Sequence, residues 1–71
     1  MPAKWTGEVV GIMHQHRITR TQLAMKLDFT LEYVSMVLNG KREVEGHEER
    51  FRAALDELIR EKEAQLLEAG A

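Results

Sequence analysis

The sequence contains no cysteine and only one proline, Pro2, among its 71 residues. The lack of cysteine excludes disulfides, thiol catalysis and cysteine-ligated metal sites, and a small domain without such cross-links fits the reducing cytoplasm. Because proline is the strongest helix breaker, nothing after Pro2 prevents helix formation, and with only five glycines long helices are expected. No apolar run approaches the roughly 20 residues that span a membrane.

The charge is nearly balanced, with ten basic and twelve acidic residues and a net charge of −2. This balance argues against a protein that coats nucleic acid regardless of sequence, because such proteins are usually basic. The charge is nevertheless unevenly distributed. Residues 1–46 hold six basic and five acidic side chains, whereas residues 47–71 hold four basic and seven acidic ones. A local basic face in the first part of the chain therefore remains compatible with the composition.

The spacing of apolar residues predicts four helices in one small domain. We expect the first helix at residues 6–15, with Val9 and Met13 on its apolar side. Thr6 is its expected N-cap, and Glu8 would lie in the first turn, where the helix dipole favours negative charge. This helix gives the two short helices that follow a surface to pack on.

Two short helices follow, and each has its own start signal. Thr19 with Gln22 three residues later matches a capping box, and Asp28 tolerates the left-handed backbone that ends such a helix. Thr30 is the expected cap of the third helix, residues 31–39, which a glycine closes. Two short helices joined by a turn of about three residues have the spacing of a DNA-reading helix-turn-helix.

The fourth predicted helix runs from about residue 47 to residue 68 and would be about 33 Å long. The side chains expected to pack on the first and third helices are Phe51, Ala54, Leu55 and Leu58. The apolar side chains expected beyond that core are Ile59, Leu66 and Leu67, with Glu61, Lys62 and Glu63 at their edges. Exposed leucines at this spacing predict a contact between two copies of the chain. The alternative is that the last turn of the helix folds back or frays, as chain ends often do.

Residues 19–42 carry the most specific pattern in the sequence. It consists of the segments TRTQLA (19–24), LDFT (27–30), YVS (33–35) and VLNGKR (37–42). These segments resemble the Cro/CI (XRE) family of phage and bacterial helix-turn-helix regulators. The family's Leu-Ala pair is Leu23-Ala24 here, and Asp28 stands where the family usually has glycine.

The resemblance implies an all-α, lambda-repressor-like bundle of four to five helices with a long C-terminal helix. It places a DNA-binding domain in residues 1–60, a helix-turn-helix core in residues 19–40 and a C-terminal extension in residues 61–71. The implied function is sequence-specific binding of a double-stranded operator by a repressor-type regulator from a phage or other mobile element. Such regulators bind two half-sites as homodimers.

The resemblance also implies roles for individual residues, because the third helix of such domains enters the major groove. The residues that match the family's base readers are Leu31, Glu32, Ser35 and Met36. The residues that match its phosphate contacts are Arg20, Gln22, Tyr33, Asn39, Lys41 and Arg42. No cofactor, metal, small-molecule substrate or catalytic activity is expected, since the sequence offers no nucleophile–base pair or glycine-rich phosphate loop.

Several of these residues have a second interpretation. Leu31 and Met36 are apolar where the family often has polar readers, so they are also compatible with a helix-turn-helix reused as a protein-interaction module. Glu32 is equally well read as a solvated glutamate, and Tyr33 as a packing residue. The chain's three histidines are interpreted as surface or loop-packing residues, because two histidines two positions apart do not share one helix face.

Overall fold

The structure, a computed structural model, describes residues 4–70 of the chain. Its four helices are α1 (Lys4–His16), α2 (Arg20–Leu27), α3 (Leu31–Leu38) and α4 (His47–Gly70). The predicted all-α bundle with a long final helix is confirmed. Residues 1–3 and 71 of the predicted segments lie outside the described residues. α4 continues without a break through residue 60, where the DNA-binding domain was predicted to end. None of the helices in residues 4–70 is both long and apolar enough to span a membrane.

The predicted start of α2 and the predicted turn are both confirmed. The side chain of Thr19 accepts a hydrogen bond from the backbone N–H of Gln22, and the Gln22 side chain accepts one from the backbone N–H of Thr19. Asp28 has a left-handed backbone with φ 61°, which ends α2. Thr30 then accepts a hydrogen bond from the backbone N–H of Tyr33 and caps α3.

The predicted start of α1 is wrong. The helix begins at Lys4, so that Thr6 lies inside it and is buried rather than capping its end. The reason is the helical period, which places Thr6 on the same inward face as Val9 and Met13. Glu8 lies past the first turn, and its carboxylate pairs with the guanidinium of Arg52 at 2.6 Å instead of facing the helix dipole.

The core is formed where α4 lies along α1 and α2, whereas the sequence predicted packing on the first and third helices. The largest fully buried side chains are Phe51, Leu23, Val9, Val34 and Val37. Two ion pairs connect α4 to α2, since the ammonium of Lys26 contacts the carboxylates of both Glu57 and Glu61. α3 packs on α2 and α1 and leaves the rest of its circumference exposed.

The second half of α4 leaves the core at Lys62. The ammonium of Lys62 donates to the backbone carbonyls of His16 and Arg17, at 2.7 and 2.9 Å, at the end of α1. Residues 63–68 are all exposed, so they form a helical arm beyond the bundle. Ile59 is half-buried against the core and does not belong to this arm, contrary to the prediction.

The capping box at the start of α2 gives a direct test of local stability. We expect Thr19→Ala to lower the free energy of unfolding by about 1 kcal/mol, because the backbone N–H of Gln22 then loses its acceptor at the helix end. Thr21→Ala is the matched control, since Thr21 is exposed within the same helix. Urea unfolding followed by circular dichroism measures both variants, and equal stability of the two would contradict the capping role.

Candidate nucleic-acid interface

The outward face of α3 contains all four predicted base-reading residues. Leu31 is 47% exposed and Met36 is 39% exposed, Glu32 is exposed, and Ser35 is half-buried. At 3.6 residues per turn these four positions lie within about 140° of the helix circumference. The opposite side buries Val34, Val37 and Leu38 in the core. The structure therefore brings the predicted readers together on one continuous surface.

The end of α3 is closed by a Schellman motif that fixes the backbone of the basic pair. Gly40 has a left-handed backbone with φ 77°, and its N–H donates to the carbonyl of Val37 at 3.0 Å. The N–H of Lys41 donates to the carbonyl of Met36 at 2.9 Å. This pair of hydrogen bonds is the pattern that ends many helices at glycine. It sets Lys41 and Arg42 directly beyond the last turn of α3.

Three cations flank the α2–α3 unit without an acidic partner. Arg20 begins α2, and Lys41 and Arg42 follow α3; none of them forms an ion pair within residues 4–70. Three other cations, Lys26, Arg52 and Arg60, do form ion pairs. Arg52 pairs with two glutamates, and the hydrogen bond that Lys26 donates to Glu61 raises the pKa of Lys26 above its ordinary value. Positive charge is thus left free beside the exposed face of α3.

The other predicted phosphate contacts have mixed surroundings. Asn39 is exposed at the C-cap of α3. Gln22 is exposed, but its side-chain oxygen already accepts the capping hydrogen bond from Thr19. The hydroxyl oxygen of Tyr33 lies 2.8 Å from Nε2 of His47, so Tyr33 already makes a hydrogen bond within the protein.

An aromatic cluster lies behind the first turn of α3. The ring of Phe29, in the turn between α2 and α3, contacts the rings of Tyr33, His47 and Phe51 with centroids 5.0, 5.6 and 6.4 Å away. Trp5 of α1 meets Phe51 edge-on at 5.5 Å. The cluster therefore joins the start of α3 to the start of α4 and to α1.

His47 begins α4, as the sequence predicted, and packs on Phe29 of the α2–α3 turn. The sequence did not predict the extent of its burial, since His47 is only 6% exposed. The signal was present in the sequence, because His47 lies four residues before Phe51 and so shares its inward face. Burial, and to a smaller extent the charge of Arg50, lower the pKa of His47 below its ordinary value. The positive end of α4 acts in the same direction.

No group of three histidine, aspartate or glutamate side chains in residues 4–70 has an arrangement that could hold a metal ion. Comparisons with protein-family models, with curated proteins and with solved structures found no match to this chain. The function of the surface is therefore inferred from the residues that form it.

The buried histidine makes stability depend on pH. We expect the free energy of unfolding to fall as the pH is lowered below about 6.5, the ordinary histidine pKa. At that pH the histidine of the unfolded chain takes up a proton, whereas folded His47 resists protonation. The stability that neutral His47 contributes is therefore complete above this pH and is lost below it. Urea unfolding at several pH values should show a weaker fall for His47→Gln. His14→Gln is the control, because His14 is exposed; identical pH profiles for the wild type and His47→Gln would contradict the assignment.

Proposed function

We propose that this protein is a sequence-specific DNA-binding regulator of the repressor type, in which α3 reads the major groove of a double-stranded operator. The observation that carries the proposal is the exposed face of α3 between cations that have no acidic partner in residues 4–70. The short α2–turn–α3 unit and the resemblance of residues 19–42 to Cro/CI regulators support it. The proposed regulator acts in the cytoplasm, without a cofactor, a metal or a catalytic step.

The free cations fit the role of phosphate contacts. Neutralising a phosphate releases counterions and drives binding, and this term does not depend on sequence. Arg20, Lys41 and Arg42 can make such contacts without first giving up an internal ion pair. Arg52 would have to leave Glu8 and Glu48 to do the same. The three cations around α3 are therefore available to an external anion.

The exposed residues of α3 fit the role of base readers. The carboxylate of Glu32 can accept a hydrogen bond from the amino group of cytosine, and the side chains of Leu31 and Met36 can contact the methyl group of thymine. Ser35 can donate to or accept from a base edge. The free cations at the ends of the α2–α3 unit offset the repulsion between Glu32 and the phosphates.

A second function is favoured by the exposure of two apolar side chains of α3, Leu31 and Met36. In this alternative the exposed face of α3 binds a groove on another protein, as amphipathic helices do. The two functions differ in their dependence on salt, because the phosphate contacts weaken steeply as the salt concentration rises. Selection from a pool of random duplexes at low salt decides between them, since failure to enrich any sequence would favour the protein partner.

The proposed roles separate affinity from specificity. We expect Lys41→Ala with Arg42→Ala to weaken binding to all duplexes alike and to reduce the slope of log K against log salt by about 1.8, since each phosphate that is no longer neutralised lowers the slope by about 0.9. Glu32→Ala should instead change the preferred base at one position by about 1–3 kcal/mol. Band shifts with the selected operator and its single-base variants measure both effects.

Two matched variants control for charge alone. Arg60→Ala removes an exposed cation from α4, and Glu49→Ala removes an exposed carboxylate near its start. Neither should alter the salt slope or the preferred sequence. An unchanged base preference in Glu32→Ala would show that this carboxylate does not read DNA.

The arm of α4 provides the proposed contact between two copies of the regulator. Leu66 is 70% exposed and Leu67 is 76% exposed, in the part of α4 that has left the core. One reading helix covers only a few base pairs, whereas a dimer reaches two half-sites about one DNA turn, or roughly 34 Å, apart. Two exposed leucines on a helical arm are the apolar surface that such a dimer would cover.

We expect Leu66→Asp with Leu67→Asp to reduce self-association in sedimentation equilibrium and to lower the affinity for a palindromic operator. Charged side chains at these positions would have to be buried between the two arms. Val44→Asp is the control, because Val44 is also an exposed apolar residue but lies in the loop before α4. A complex of one chain per palindromic site at saturating protein would rule out the dimer.

A further inference from the structure

We propose that His47 is a positioning residue for a proton-linked phosphate contact made by Tyr33: the Tyr33 hydroxyl donates to a DNA phosphate while the doubly protonated imidazole of His47 donates to the Tyr33 oxygen. The inference rests on the proposed DNA-binding function and deepens it. It assigns a role to a buried histidine that lies behind the reading helix rather than on its surface.

The geometry for this contact is already present in the structure. Tyr33 lies in the first turn of α3, where its backbone N–H is held by Thr30, and its hydroxyl oxygen is 2.8 Å from Nε2 of His47. Tyr33 is half-buried, so part of the residue is accessible to solvent. The imidazole packs against two aromatic rings, with centroids 5.6 Å from Phe29 and 5.8 Å from Phe51. The packing therefore keeps the imidazole in place beside the hydroxyl.

The chemistry follows from the number of protons available. A tyrosine hydroxyl has a single proton to donate, and a phosphate offers acceptors alone. When neutral His47 accepts at Nε2, that proton is already used within the protein. A phosphate can receive it once His47 supplies a hydrogen at Nε2, which the neutral Nε2–H tautomer and the imidazolium both carry. Of these two forms the negative phosphate favours the imidazolium, because it alone is positively charged.

The groups that face His47 disfavour its charged form in the free protein. Arg50, one turn further along α4, disfavours a second positive charge, and burial acts in the same direction. The other elements packed against the ring contribute the Tyr33 hydroxyl from α3 and the ring of Phe29 from the α2–α3 turn. No carboxylate in residues 4–70 contributes to the shift of this histidine's pKa. A phosphate beside Tyr33 would supply the missing negative charge.

DNA binding and proton uptake are then linked. The anion favours the charged imidazole, so the pKa of His47 rises in the complex, and the complex holds a proton that the free protein lacks. By linkage, lowering the pH through the interval between the two pKa values increases the affinity for DNA. Because the affinity rises as the pH is lowered through this interval, the duplex should stabilise the fold more strongly at its lower end.

The test follows the imidazole protons of the full-length chain by NMR as the pH is changed, with and without DNA. The probe is a mixed-sequence duplex of about 20 base pairs at about 50 mM salt, conditions in which the sequence-blind phosphate contribution is strong. We expect the His47 ring to titrate at a higher pH with the duplex than without it. A rise of one pKa unit corresponds to about a tenfold gain in affinity between the two ends of the interval.

Tyr33→Phe is the decisive variant, because it keeps the ring in the cluster and removes the hydroxyl that reaches the phosphate. In this variant the duplex should leave the titration of His47 unchanged. Affinity measured between about pH 7.5 and 5.5, where histidine titrates, should rise more steeply in the wild type than in Tyr33→Phe or His47→Gln. A purely structural role of His47 would lower affinity equally at every pH.

The outcomes separate this inference from the function on which it rests. No binding to any duplex would overturn both proposals. Binding that leaves the pKa of His47 unchanged, or that only moves the ring proton from Nδ1 to Nε2, would overturn the proton link and leave the DNA-binding function standing. The wild-type titration needs no substitution, so it decides the question even where His47→Gln fails to fold.

Discussion

The packing around the fully buried ring of Phe51 is the interaction on which the rest of this small bundle depends. The ring touches Trp5 of α1, Phe29 of the α2–α3 turn and His47 of its own helix. A chain of this size buries only about 60% of the surface of its unfolded form, so few other contacts can compensate for this one. Through Phe29, which in turn packs on Tyr33, the same ring also supports the start of α3. The orientation of the proposed reading helix is therefore a consequence of core packing.

The features that could be predicted from the sequence are those determined within a few residues. The capping box at Thr19, the left-handed Asp28 and the cap at Thr30 each satisfy backbone groups three or four positions away. The grouping of the predicted base readers also followed, because one short helix with a buried side leaves one exposed side. Local hydrogen-bonding capacity and helical period were sufficient for these features.

The features that the sequence did not predict depend on partners far along the chain. The start of α1 was misplaced because Thr6 looks like a cap locally, whereas the core buries it. The packing of α4 on α2 includes ion pairs of Lys26 with Glu57 and Glu61, which lie more than 30 positions further along the chain. The burial of His47 depends on Phe29 and Tyr33 in the same way. Periodicity shows which face of a helix is apolar, but it does not identify the element that covers this face.

The two hydrogen bonds from Lys62 to the end of α1 have a consequence for the geometry of any assembly through the arm. They fix the point at which α4 separates from the bundle, and an α-helix transmits both direction and rotation along its axis. One residue inserted after Lys62 would turn the leucines of the arm by about 100° and advance them by about 1.5 Å, while the core kept its contacts. The rotation of the arm relative to α3 is therefore set by the number of residues between them. In the proposed dimer, an insertion or deletion at this point would change the spacing of the two α3 helices without altering either bundle.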